Sequence, residues 1–80
     1  LSFNNLSSTA LDNILVDLLA NWTSINRGRV TINLKNQTSA SNNNITMFPS
    51  ETGYAAARTL VSKGWTIGLT GGIPDEPDII

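Results

Sequence analysis

Arg29-Val30-Thr31-Ile32-Asn33-Leu34-Lys35 alternates apolar and polar residues without a break. Successive side chains of an extended chain point to opposite faces, so Val30, Ile32 and Leu34 share one side while Thr31, Asn33 and Lys35 share the other. The stretch predicts a strand with one buried face and one wet or partner-facing face. Trp65, Ile67 and Leu69 repeat the alternation against Thr66 and Gly68, and Leu1-Ser2-Phe3 reads as a third, shorter strand. Strands covered by helices on both sides are usually apolar throughout. The one-sided pattern therefore predicts helices on one face only.

Two helices separate these strands. Leu11, Ile14, Leu15, Leu18, Leu19 and Trp22 form one apolar stripe of helical period, which predicts a helix over Ser8–Trp22. Ser7 or Ser8 can cap its first turn. Ser50 reads as the N-cap of a second helix, with Glu51 in its first turn and Tyr54, Ala57, Leu60 and Val61 on its stripe. The small residues Ala55–Ala57 permit close approach to a neighbouring element, and Gly64 suits the left-handed position at the helix end. Asn36 to Pro49 is polar and aperiodic, so a loop is expected, with Met47 and Phe48 folded back as a plug over the core edge.

Strand, helix, strand, helix, strand is an α/β fold. It predicts a small βαβαβ module over residues 1–70, a three-stranded parallel sheet in sequential order with both helices on one face. Residues 71–80 read as an extended or disordered tail.

With 80 residues, such a module buries only about 60% of its unfolded surface. It contains neither Cys nor His, which excludes disulfide staples and thiolate metal sites and removes the commonest general base. Small chains without staples usually oligomerise, pack unusually well or belong to something larger. A strand starting at Leu1 rather than at a Met favours the last, so the chain is expected to be the end piece of a longer protein. Net charge is −1, with Asp75, Glu76 and Asp78 gathered near the end. That balance does not favour nucleic acid as a partner. No apolar run approaches the ~20 residues of a membrane span.

The two halves are weakly self-similar at a spacing of roughly 30–35 residues. Leu1-Ser2-Phe3-Asn4-Asn5-Leu6 resembles the strand-and-asparagine core of a leucine-rich repeat. More specifically, Leu11-Asp12-Asn13-Ile14-Leu15, Gly28-x-Val30-x-Ile32-x-Leu34, Ala55-Ala56-Ala57-x-x-Leu60 and Lys63-Gly64-Trp65-Thr66-Ile67 together resemble a terminal leucine-rich-repeat-like module. Such modules occur in phage virion and tail proteins and in some Bacteroidota surface proteins. The resemblance implies a non-catalytic structural or adhesion module of a larger phage protein (tail, fibre or head-associated), located in the virion. The alternative it implies is a bacterial cell-surface or extracellular protein that binds a host protein or glycan. It implies no catalytic residue, cofactor or metal, and its partners would be other subunits or domains of an assembly and a host surface.

Candidate binding residues come from the wet strand face and the asparagine-rich stretch: Asn33, Lys35, Asn36, Gln37, Asn42, Asn43 and Asn44. Their amides suit hydrogen bonding to a glycan, although the same residues favour ordinary turns. Ile79 and Ile80 are candidates for a subunit contact. Trp22 and Trp65 end apolar stripes and are expected to pack in the core or against another subunit rather than to stack on a sugar. Asp12 and Asp17 diverge by roughly 140° around a helix and read as surface charges. Gly68-Leu69-Thr70-Gly71-Gly72 lacks the Lys-Ser/Thr of a phosphate loop and reads as a chain-end turn.

Overall fold

The computed structural model describes residues 4–21 and 31–74. Helix α1 spans Ser8–Ala20. Ser7 caps it from an extended conformation, its hydroxyl accepting the Ala10 N–H at 3.1 Å. At the other end the Asn21 backbone N–H and side-chain Nδ2 both donate to the Asp17 carbonyl. That end lies short of Trp22, which is outside the described residues. Leu11 and Leu15 are buried, and Ile14, Leu18 and Leu19 pack against the core around them.

Strand β1 (Thr31–Asn33), β2 (Thr38–Ser39) and β3 (Asn42–Thr46) follow, then helix α2 (Glu51–Ser62) and strand β4 (Thr66–Gly68). β1 and β4 pair in parallel, with Thr31, Ile32 and Asn33 opposite Thr66, Ile67 and Gly68. The ladder runs one bond further, from the Leu34 N–H to the Gly68 carbonyl at 2.8 Å. The predicted alternation holds: Thr31, Asn33 and Thr66 are exposed, while Leu34, Trp65 and Leu69 are buried.

The fold is α/β, but its sheets differ from the expected three-stranded parallel sheet. Among the described residues, one sheet is the parallel pair β1–β4 and the other is the antiparallel pair β2–β3. The strand expected at residues 1–3 lies outside the described residues. The chain immediately after it bonds away from β1: Asn4 O accepts the Thr38 N–H, and Leu6 N–H donates to the Gln37 side chain.

The second correction concerns Asn36–Pro49, expected to be a loop. It contains the β2–β3 hairpin, whose register jumps from Ser39 opposite Asn42 to Thr38 opposite Thr46. Such an irregularity of register, one residue on β2 against four on β3, breaks the two-residue period. All five β3 residues are also exposed, so no burial pattern marks the strand in the sequence. Phe48 does not plug the core: it is 45% exposed. Pro49 is the buried residue at this corner.

Both helices contribute to one core. Leu11 and Leu15 of α1 meet Ala56, Ala57 and Leu60 of α2, together with Leu34, Trp65 and Leu69 from the strand ends. α2 finishes in a Schellman motif. Gly64, at φ +99°, donates to the Val61 carbonyl, and Trp65 N–H reaches back to Leu60. This turn drops Trp65 into the core beside Leu60 and starts β4. The first residues of the expected tail also touch this body: Ile73 packs on the core and Arg58 Nη1 donates to the Pro74 carbonyl at 2.8 Å. Arg58 also forms an ion pair with Glu51.

Asp12 overturns its reading as a surface charge. Its Oδ1 accepts the N–H groups of Ser50 (2.8 Å) and Gly53 (3.1 Å), and its Oδ2 accepts the Ser50 hydroxyl at 2.5 Å. Gly53 is the third residue of α2, whose N–H is normally satisfied by the helix's own N-cap side chain. Here Ser50 sits at the N-cap but makes no side-chain bond into its own helix. A carboxylate on α1 caps α2 instead.

Gly53 makes that contact possible. A Cβ there would overlap the Asp12 carboxylate and lie 2.9 Å from Pro49 Cβ. Asp12→Ala is expected to lower stability by about 1–2 kcal/mol, the range of a lost helix cap. Gly53→Ala should also destabilise, although alanine normally favours a helix over glycine by about 1 kcal/mol. Because both changes disrupt one contact, the double variant should lose less than the sum of the two. Chemical denaturation of the four proteins checks this; a stabilised Gly53→Ala variant would refute the inter-helix cap.

Candidate functional site

Asn33 and Gly68 are opposite each other at the C-terminal ends of β1 and β4. An open groove of about 560 Å³ runs along the two paired strands and past these ends, where Lys35, Asn36, Thr70, Gly71 and Ile73 border it beside Asn33. The backbone brings these residues together in three steps. Asn33 Oδ1 accepts the Lys35 N–H at 2.9 Å, a local turn that holds the end of β1. Asn36 then takes a left-handed conformation, φ +63°, which Asn tolerates better than most residues. From there its N–H donates to Thr70 Oγ1 at 2.7 Å, tying the two strand ends together.

The opposite wall is a tight turn. Gly72 N–H donates to the Leu69 carbonyl at 3.0 Å, and Gly71 has φ +76°. That is the geometry of a type II turn, which requires positive φ at its third residue. The expectation of a turn here holds, and the turn forms a wall of the groove. Gly68 shapes the floor. A Cβ at Gly68 would lie 3.1 Å from Asn33 Oδ1 and 3.3 Å from Lys35 Cε. The lysine stem therefore crosses the sheet where glycine leaves room.

Lys35 is the single charged residue among the described residues that line the groove. Among the described residues no carboxylate pairs with it; the ion pair present is Arg58–Glu51. The lining combines one ammonium, amide and hydroxyl groups, and apolar edges from Ile67 and Ile73. Such a surface can orient a polar ligand by hydrogen bonds while excluding part of its solvent.

The seven candidate binding residues separate into three groups. Asn33, Lys35 and Asn36 come together in the groove. Gln37, next in sequence, is fully buried. Its Oε1 accepts the Leu6 N–H at 3.2 Å, its Nε2 donates to the Lys35 carbonyl at 3.3 Å, and its own carbonyl accepts the Met47 N–H. It joins three segments of chain and presents nothing to a ligand. Asn42, Asn43 and Asn44 lie on β3 and do not border the groove. Asn42 Oδ1 accepts the Asn44 N–H at 2.9 Å, and Asn43 Oδ1 lies 3.5 Å from Asn5 Nδ2 and from Thr38 Oγ1. Ile79 and Ile80 lie outside the described residues. Thr70, Gly71 and Ile73 were not anticipated as site residues. The Gly-Gly pair directly after a strand was the available signal.

Trp65 is 3% exposed in the core, as expected, and its Nε1 has no hydrogen-bond partner among the described residues. Among the described residues no group of three or more His, Cys, Asp or Glu comes together, and no helix is long and apolar enough to cross a membrane. No family model matches the chain, and no curated protein or solved structure matches it.

The partition of the candidates is measurable. Gln37→Ala should lose about 1–3 kcal/mol, the usual result of stranding buried hydrogen-bonding groups. Asn44→Ala removes an exposed side chain and should stay within about 0.5 kcal/mol of the parent. Urea melts of the two variants test the assignment, and similar midpoints for both would contradict it.

Proposed function

We propose that the chain is a non-catalytic adhesion module, part of a larger phage virion protein, that contacts a host-surface glycan or protein through the groove at the ends of β1 and β4. The observation that carries the binding role is the convergence of Asn33, Lys35 and Asn36 with Thr70 around one cavity. Amides and hydroxyls both donate and accept, which suits a ligand dense in hydroxyl groups. The described lining holds no carboxylate, thiol or imidazole. The non-catalytic part of the reading rests on the resemblance, which carries no catalytic motif. The virion setting rests on the resemblance of the Gly64-Trp65 strand start and the segments around it to terminal leucine-rich-repeat-like modules. In that setting the groove would face the host while the rest of the assembly supports the module.

Thr66→Trp gives a direct test. Thr66 is exposed and borders the groove, and an aromatic residue is well tolerated in a strand. The indole should occupy the cavity and abolish retention on a host-envelope glycan array, with the circular dichroism spectrum unchanged. Asn44→Ala should bind as the parent does. Retention by a folded Thr66→Trp variant would remove the groove from the proposal, and turnover of any glycan by the parent chain would remove its non-catalytic part.

A further inference from the structure

We infer that this groove selects sugars bearing a carboxylate, with the Lys35 ammonium pairing with the acid group; the inference rests on the groove being the binding site. Charge balance is its basis. Of the described cations, Arg58 is paired with Glu51 and bonded to the Pro74 carbonyl, and Lys63 also has an interaction partner. Among the described residues, Lys35 is the cation left without a counter-charge, and no acidic residue borders the groove around it. Its position is also constrained. The Lys35 stem lies in the gap left by Gly68, its Cε 3.3 Å from where a Cβ would stand, so the ammonium is carried over the strand ends.

A single ammonium matches the single negative charge of a sugar acid. A phosphate group carries about −1.5 to −2 at neutral pH and is usually held by several cations or converging N–H groups. The neighbouring polar groups fit the rest of a sugar ring. Asn33 Oδ1 is occupied by the Lys35 N–H, which leaves Asn33 Nδ2 to donate. The Asn36 side chain offers both a donor and an acceptor. Thr70 Oγ1 accepts from Asn36 N–H and keeps its own hydroxyl proton for a ligand oxygen. Ile67 and Ile73 supply apolar edges for the C–H face of the ring.

The test is a titration of the ¹⁵N-labelled chain followed by amide chemical shifts, using glucuronate, glucose and inorganic phosphate as separate probes. Glucuronate should shift Lys35, Asn36, Thr70 and Gly71 and bind more tightly than glucose. Lys35→Gln should weaken glucuronate by up to about fivefold, as expected when a solvent-accessible charge pair is lost, and should shrink the preference for glucuronate over glucose. Raising the salt concentration should erode the preference for glucuronate. Equal binding of glucose and glucuronate at these residues would overturn the acid selectivity and leave the groove as a sugar site. Phosphate binding as tightly as glucuronate would overturn it in favour of a general anion site. No shift at the groove with any of the probes would overturn both the selectivity and the groove reading.

Discussion

The Asp12 carboxylate receives three hydrogen bonds from the start of α2, and the arrangement of the helices follows from that contact. A helix begins with N–H groups that have no partner inside it. In α2 one of them, that of Gly53, is answered from the side of α1, with Gly53 permitting the approach and Ala56 and Ala57 packed in the core shared by the two helices. The apolar residues of both helices then meet as one layer. Leu34, Trp65 and Leu69 enter that layer from the strand ends.

A second constraint acts at the hairpin. Gln37 places one buried amide between Leu6 and Lys35, while its carbonyl receives Met47. Buried polar groups need such partners, and here the partners come from three separated stretches. This arrangement anchors the hairpin to the segment before α1. It also holds the carbonyl of Lys35, the residue on which the charge of the groove depends. The structural role of Gln37 and the binding role proposed for its neighbours are thus adjacent in the chain and distinct in function.

The parts legible in the sequence were those with a strong period. The α1 stripe, the alternation through Thr31–Lys35 and the Gly64-Trp65 turn each left a local signature, because burial selects residue types at regular intervals. The hairpin left none, since β3 is exposed throughout and an irregular register interrupts its pairing. Asp12 was misread for a different reason. Its partners are distant in sequence, so its surroundings on α1 look like an ordinary solvated helix face. The groove was half visible: Asn33, Lys35 and Asn36 stood out on a wet strand, whereas Thr70 and Gly71 belong to the site only through the pairing of β1 with β4.

That dependence on distant partners has a consequence for how the chain reaches its native state. Thirty-eight residues separate Ser50 from Asp12, and the parallel pair likewise joins strands from opposite sides of the hairpin and α2. Contacts of this span require loop closure before they return any stabilisation, and chains dominated by them fold more slowly than local helical bundles. The group that caps the Gly53 N–H of α2 is carried by another helix, so docking against α1 stabilises the first turn of α2. Docking of the helices and completion of α2 are therefore coupled, and the module should form cooperatively rather than by assembling pre-stable pieces.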